Sequence, residues 1–219
     1  MRKQYLLILL LHALCCTALR AQSNYYVAAP KVFSGGLTIG PNFTQVDGDT
    51  YYGYHKVGLN AGAVVYVHFS EIFGVSMELD YSQKGSRGEG ITSSPATGMY
   101  VAKYFMNLNY AEVPVTFHAI VHQTDIEAGL SYARLITTKE WVLAAQPVAI
   151  DPVANRFNTT DLNYIVGISH QVYKNLYANA RFQYSAIAIR PPERVPAGYG
   201  YGNTGQYNNM LNLRLLYFF

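Results

Sequence analysis

Eight ionisable residues form the chain's only constellation with clear chemical potential. Glu78, Asp80, Glu112 and Glu127 supply four carboxylates; Lys56, Lys84, Arg181 and Arg214 supply four cations. Each lies in a stretch where large apolar residues alternate with small or polar ones, and each takes the polar parity. In Phe73–Lys84, Phe73, Val75, Met77, Leu79 and Tyr81 share one face, while Gly74, Ser76, Glu78, Asp80 and Ser82 share the other. Charges shut inside a protein cost several kcal/mol each unless they pair or keep water. A face carrying such groups beside glycines therefore points into an enclosed polar space. Two outcomes stand open there, a salt-bridged plug and a path for ions. If the strands form a ring of eight, strand three faces seven and four faces eight, so Glu78 should meet Arg181 and Glu112 should meet Arg214. Those pairs are expected to lie in the same half of the ring.

Catalytic readings are weaker. His118-x-x-x-His122 would bring two ligands together on a helix, but that segment reads as a turn, with Asp125 the one nearby acid. His55 with Asp47 and Asp49 approaches an outer-rim hydrolase arrangement. Ser169 and His170 are adjacent on a strand, so their side chains diverge. Asp47, Asp49 and Asp151 could bind calcium, yet no spacing matches an EF-hand loop. No catalytic residue, metal site or cofactor is expected. The aromatic candidates for recognition are Trp141, in the connector Thr137–Thr160, and Tyr199 and Tyr201, in Arg190–Gln206.

These residues need strands to position them. Period-two alternation predicts eight, at about 33–44, 56–69, 73–84, 104–118, 124–136, 161–172, 176–189 and 207–219. A bulge is expected near Tyr110, where the phase shifts, and Pro114 should interrupt that strand's ladder. Connectors alternate in length. Short ones lie at Ser70–Ile72, Ala119–Gln123 and Tyr173–Asn175; long ones at Gln45–His55, Gly85–Lys103, Thr137–Thr160 and Arg190–Gln206. Short turns on one side and long loops on the other mark an up-and-down barrel in an outer membrane. Gly36, Gly40, Gly58, Gly62, Gly74, Gly129 and Gly167 fall on the inner parity, where a narrow barrel needs small residues. The fold expected is all-β, an eight-stranded antiparallel transmembrane barrel with four long extracellular loops.

The first residues have the three parts of a secretory leader. Arg2 and Lys3 are basic, Leu6 to Leu14 apolar, and Ala21 small. Residues 1–21 are read as that leader, 22–32 as a short periplasmic segment and 33–219 as the barrel domain. Cys15 and Cys16 would leave with the leader, so the barrel has no thiol for a disulfide or a metal. The sixteen Lys and Arg lose Arg2, Lys3 and Arg20, leaving thirteen against thirteen Asp and Glu. Nothing in that balance suits nucleic acid. The twenty tyrosines suit aromatic girdles at a lipid boundary. Tyr217 and Phe219 end an alternating strand in the manner of the signal read by the barrel assembly machinery.

Four stretches, Lys56–Phe69, Met77–Gly85, Leu108–Phe117 and Glu127–Leu135, together resemble the PorT-like outer-membrane β-barrel family of Bacteroidetes. The resemblance implies an eight-stranded barrel in the outer membrane of such a bacterium, and it brings no catalytic residues. The expected function is structural or partner-binding, with accessory work in protein secretion or envelope assembly as one form of it. Partners would be outer-membrane lipid, the assembly machinery and other envelope or secretion proteins. The alternatives are a narrow gated pore for small solutes and, less favoured, an outer-rim hydrolase.

Overall fold

The computed structural model describes residues 32–94, 98–144, 150–200 and 203–219. The stretch expected to be a leader, residues 1–21, most of the segment 22–32, and Tyr201 lie outside the described residues. Eight strands run in chain order: β1 Phe33–Asp47, β2 Lys56–His68, β3 Phe73–Ser94, β4 Gly98–Val121, β5 Thr124–Leu143, β6 Thr160–Tyr173, β7 Leu176–Ser185 and β8 Tyr207–Phe218. Each pairs antiparallel with the next, and β8 pairs with β1, so the sheet closes on itself. Closure leaves no unpaired sheet edge.

The parity read from the sequence becomes inside and outside. Leu37, Ile39, Met77, Leu79, Leu130, Val166 and Leu213 point outward and are roughly half exposed, while Asn42, Ser82, Glu112 and Asn163 point inward and are buried. A soluble protein would place these sets the other way round. Small turns join β2 to β3, β4 to β5 and β6 to β7, defining a turn end. The connections 48–55 and 186–206, and the one from β5 to β6, define a loop end.

Two expectations need correction. The connector Gly85–Lys103 is not a loop. β3 and β4 continue in register through it, from Lys84↔Leu108 to Ser94↔Gly98. Its glycines belong to strand packing: a Cβ on Gly88 would overlap the Tyr51 ring, and Gly85 takes φ +127°. β5 likewise runs on to Leu143, which puts Trp141 on a strand. β3, β4 and β5 thus contain 22, 24 and 20 residues, roughly ten more than a tilted membrane crossing requires. The register shift in β4 lies between Asn109 and Tyr110. Pro114 keeps its place opposite Ser131 on β5, but the ladder to β3 lapses at Val113 and Pro114, opposite Leu79 and Glu78, as expected of a residue without an N–H. At the β1–β8 seam, pairing lapses at Gly40 and Pro41 and resumes in the same register at Asn42. Pro41 has no N–H to donate, and the β8 backbone comes so close to Gly40 that a Cβ there would meet Leu213 O.

Candidate functional site

Inward residues stack as layers from the turn end to the loop end. Nearest the turns, Ser76 on β3 and Thr116 on β4 are register partners, and His118 lies two residues along the same inner face. His118 Nδ1 lies 2.8 Å from Asp125 Oδ2, and its Nε2 lies 2.8 Å from Ser76 Oγ and 2.9 Å from Thr116 Oγ1. The Tyr66 ring covers the imidazole at 4.6 Å. His118 is therefore a lumen residue and not the turn histidine expected from sequence, because β4 runs three residues past it.

Ser76, His118 and Asp125 reproduce the connectivity of a Ser–His–Asp triad, but two requirements for acyl transfer are missing. Ser76 is only 2 % exposed. Its strand is also paired on both sides, through Tyr66 and Thr116, so nearby backbone N–H groups belong to the ladder and none is set aside for an oxyanion. The three groups fasten β3, β4 and β5 together at the turn end.

The second layer is ionic. Arg181 on β7 donates from Nη2 to Glu78 Oε1 at 2.8 Å across the lumen and from Nε to Glu127 Oε1 at 2.7 Å. Arg214 on β8 donates from Nη1 to Glu78 Oε2 at 2.7 Å and to Asp80 Oδ2 at 3.4 Å. Asn179 fills the gap, donating a hydrogen bond from Nδ2 to Glu127 Oε1 at 2.9 Å and accepting one at Oδ1 from Arg214 Nε at 3.0 Å. All six side chains are at most 3 % exposed. Bidentate, charge-assisted geometry of this kind can offset the desolvation of the ions.

Glu112 does not meet Arg214. It belongs to a third layer, with Lys84 Nζ at 3.5 Å, Gln183 Nε2 at 2.9 Å and the Ser131 hydroxyl as donors. Counting residues from strand ends ignores the stagger that barrel closure imposes, and this is why the expected pairing fails. Lys84 also contacts Asp161 at 3.4 Å. Sequence reasoning missed Asp161 because it stands at a strand boundary, and only the register reveals that it faces inward. Lys56 is outside the carboxylate network and donates to Asn107 Oδ1 at 2.6 Å.

Above these layers the lumen becomes apolar and aromatic. Tyr110, Leu108, Met106 and Tyr104, successive inward residues of β4, are fully buried and pack with Val46, Ala133, Phe157 and Ile189. At the rim Tyr51, Tyr104 and Tyr199 stack at 5.2 and 5.3 Å. Arg190 is buried, pairs with Glu140 and lies 3.6 Å over the Phe157 ring. Tyr199 is thus part of this lid, while Trp141 faces outward and stacks on Phe105 at 5.0 Å. The two do not form one loop surface.

The expected loop carboxylates do not converge. Asp49 is buried beside Tyr51, Asp47 accepts from Asn209, and Asp151 accepts from the N–H groups of Val153 and Ala154. Among the described residues, no three His, Asp or Glu side chains gather around a point that could hold a metal. Tyr217 and Phe219 point outward at the turn end, their rings 6.2 Å apart, and Phe219 N–H donates to Gly35 O at 3.0 Å.

A family model described as outer membrane protein beta-barrel domain matches residues 21–188. Among solved structures, the attachment invasion locus protein Ail of Yersinia pestis is 14 % identical with a TM-score of 0.45, covering 85 % of this chain and 98 % of its own. OprG of Pseudomonas aeruginosa is 9 % identical with a TM-score of 0.36, covering 85 % and 94 %. AlkL in lipid bilayers is 10 % identical with a TM-score of 0.37, covering 90 % and 96 %. No curated protein matches the chain.

Proposed function

The chain belongs to the outer-membrane β-barrel domain family and so resides in the outer membrane of a Gram-negative bacterium; from that premise we propose a closed, non-enzymatic barrel that presents a binding surface at its loop end. The observation that carries this reading is the filled lumen. Arg181, Arg214, Glu78, Glu112 and Lys84 are all at most 3 % exposed, and Tyr104, Met106, Leu108 and Tyr110 roof them at 0 %. An eight-stranded barrel is narrow enough for side chains to fill it. Those layers leave the rim, and not the interior, to meet partners.

In this reading the loop end faces outward from the cell and the short turns face the periplasm. The finer placement, among PorT-like barrels of Bacteroidetes with accessory work in secretion or envelope assembly, is supported by the four resembling sequence stretches. Tyr217 and Phe219 serve the barrel assembly machinery during biogenesis.

Two measurements test the proposal. In planar bilayers the purified protein should give no stepwise conductance, whereas steady channels from the wild type would favour a pore. On intact cells, a membrane-impermeant maleimide should label a cysteine placed at Val153, at the loop end, and spare one placed at Glu71, in a turn. The opposite pattern would invert the orientation.

A further inference from the structure

The overhang of β3, β4 and β5 has an outward face on which bases first appear above Tyr81 and Tyr132, interspersed with the exposed apolar residues Val101, Ile136, Trp141 and Leu143. Below those tyrosines the outward positions are apolar, as at Met77, Leu79, Val115 and Leu130. Above them stand Arg87 on β3, Lys103 on β4, and Arg134 and Lys139 on β5. The single acid among the described outward positions of these extensions is Glu89, which is occupied by Lys103 at 2.6 Å. Among the described residues, Arg87, Arg134 and Lys139 have no carboxylate partner. The register sets Arg87, Phe105 and Trp141 side by side in one row. The guanidinium of Arg87 lies 5.1 Å from the Phe105 ring centre, and Phe105 and Trp141 are within 7° of parallel.

The same height elsewhere on the barrel looks different. On β1 and β8 the outward residues are Gln45, Asp47, Tyr207 and Asn209, with no base, and Asp47 is held by Asn209 and Gln45. The positive charge is therefore absent from the β1–β8 side and is not a general collar.

We propose that the outward face of this overhang is a docking surface for the phosphorylated headgroups of the glycolipid that forms the outer leaflet of the membrane. The inference rests on the reading above that the loop end faces outward. Charge complementarity selects the occupant. Unpaired guanidinium and ammonium groups stand directly above an apolar band, at the height where headgroup phosphates lie. Arginine meets phosphate through a planar fork of donors, and a stacked Phe–Trp pair is at home at a lipid boundary. Arg134, next above Tyr132 on the outward parity, takes the phosphate nearest the acyl chains, while Arg87 and Lys139 reach those farther out.

Trp141 is the chain's single tryptophan, so the site contains its own reporter. The detergent-folded full chain is titrated with micelles containing diphosphoryl lipid A, and the indole emission is followed. The proposal expects a saturable change with diphosphoryl lipid A and little with the same lipid stripped of both phosphates. Inorganic phosphate alone should give no response. Arg134→Gln with Lys139→Gln should weaken the apparent affinity roughly tenfold or more, while Arg134→Lys with Lys139→Arg should keep it. Heat-modifiable gel mobility establishes that each variant is folded. An equal response to dephosphorylated lipid A, a response to phosphate alone, or an unchanged Gln double variant would overturn the proposal. A larger response to a soluble polyanion such as heparin would reassign the surface to a polysaccharide and overturn it too. The titration does not depend on which end faces outward, so its failure is separable from a failure of maleimide labelling.

Discussion

Arg214 reaches from β8 to Glu78 on β3, its Nη1 lying 2.7 Å from Glu78 Oε2, so one carboxylate is held by two guanidinium groups. Arg181 takes the other oxygen at 2.8 Å. β3 is thereby tied through a single side chain to the neighbouring pair β7 and β8 across the lumen.

Removal of Arg214 should therefore leave Asp80 without a cation and Glu78 with Arg181 alone. Arg214→Leu is expected to lower stability by about 3–5 kcal/mol if that layer is dry. Combined with Glu78→Gln, the loss should be smaller than the sum of the two single changes. Combined with Glu112→Gln, the losses should add to within about 0.5 kcal/mol. Urea midpoints in detergent micelles measure all three; strong coupling to Glu112 would contradict the observed pairing.

Asp49 makes the rim sensitive to pH. Burial, reinforced by the charge of Asp47, raises its carboxyl from the usual 3.8 to about 6, against the opposing hydrogen bonds from Ser86 and the Tyr51 N–H. A raised acid pKa means that the folded rim binds a proton the unfolded segment has released. Its stabilising contribution is then complete below about pH 4 and fades as pH rises through about 6. Hydrogen exchange at Tyr51–His55, corrected for intrinsic rates, should show better protection near pH 5 than near pH 7.5. Asp49→Asn should flatten that difference; an unchanged profile would count against the assignment.

Two glycines on one strand should behave oppositely. A methyl group on Gly88 would overlap the Tyr51 ring, whereas one on Gly90 would sit 3.5 Å from Tyr51 Cε1, in ordinary contact. Gly88→Ala should displace Tyr51 from its stack on Tyr104 at a cost of about 1–3 kcal/mol, and speed proteolysis within 48–55. Gly90→Ala should leave the cleavage rate near that of the wild type.

The Ser76–His118–Asp125 arrangement permits a test by chemistry. With Ser76 buried and no oxyanion donors in place, a fluorophosphonate probe should leave the folded protein unlabelled. Labelling abolished by Ser76→Ala would make that cluster a nucleophile and replace the fastening role.

Parity along the chain made most of the architecture legible, because an alternating face has one physical solution when lipid replaces water outside. What remained hidden depended on relations between strands. Gly85, Gly88 and Gly90 resemble loop composition, and only the neighbouring chain explains the first two as strand residues: Gly85 takes a positive φ against Met106 O, and Gly88 lies against the Tyr51 ring. The partner of Arg214 depends on stagger, which no single strand encodes. Glu78 and Arg181 could be matched from ring order alone, since they face each other directly. His118 was misread because a strand end is defined by its neighbour's turn, and Asp161 because a carboxylate at a boundary has no visible parity.

The lapse at Gly40 and Pro41 concerns time more than shape. β1 and β8 are the two ends of the barrel chain, so their seam is the one that closes the ring, and it carries a gap in the middle of its ladder. Closure should then proceed as two short zippers, Gly36–Ile39 against Leu215–Phe218 and Asn42–Asp47 against Tyr207–Asn212. Breathing of the closing seam should begin at that break, where two successive pairs are missing from the ladder.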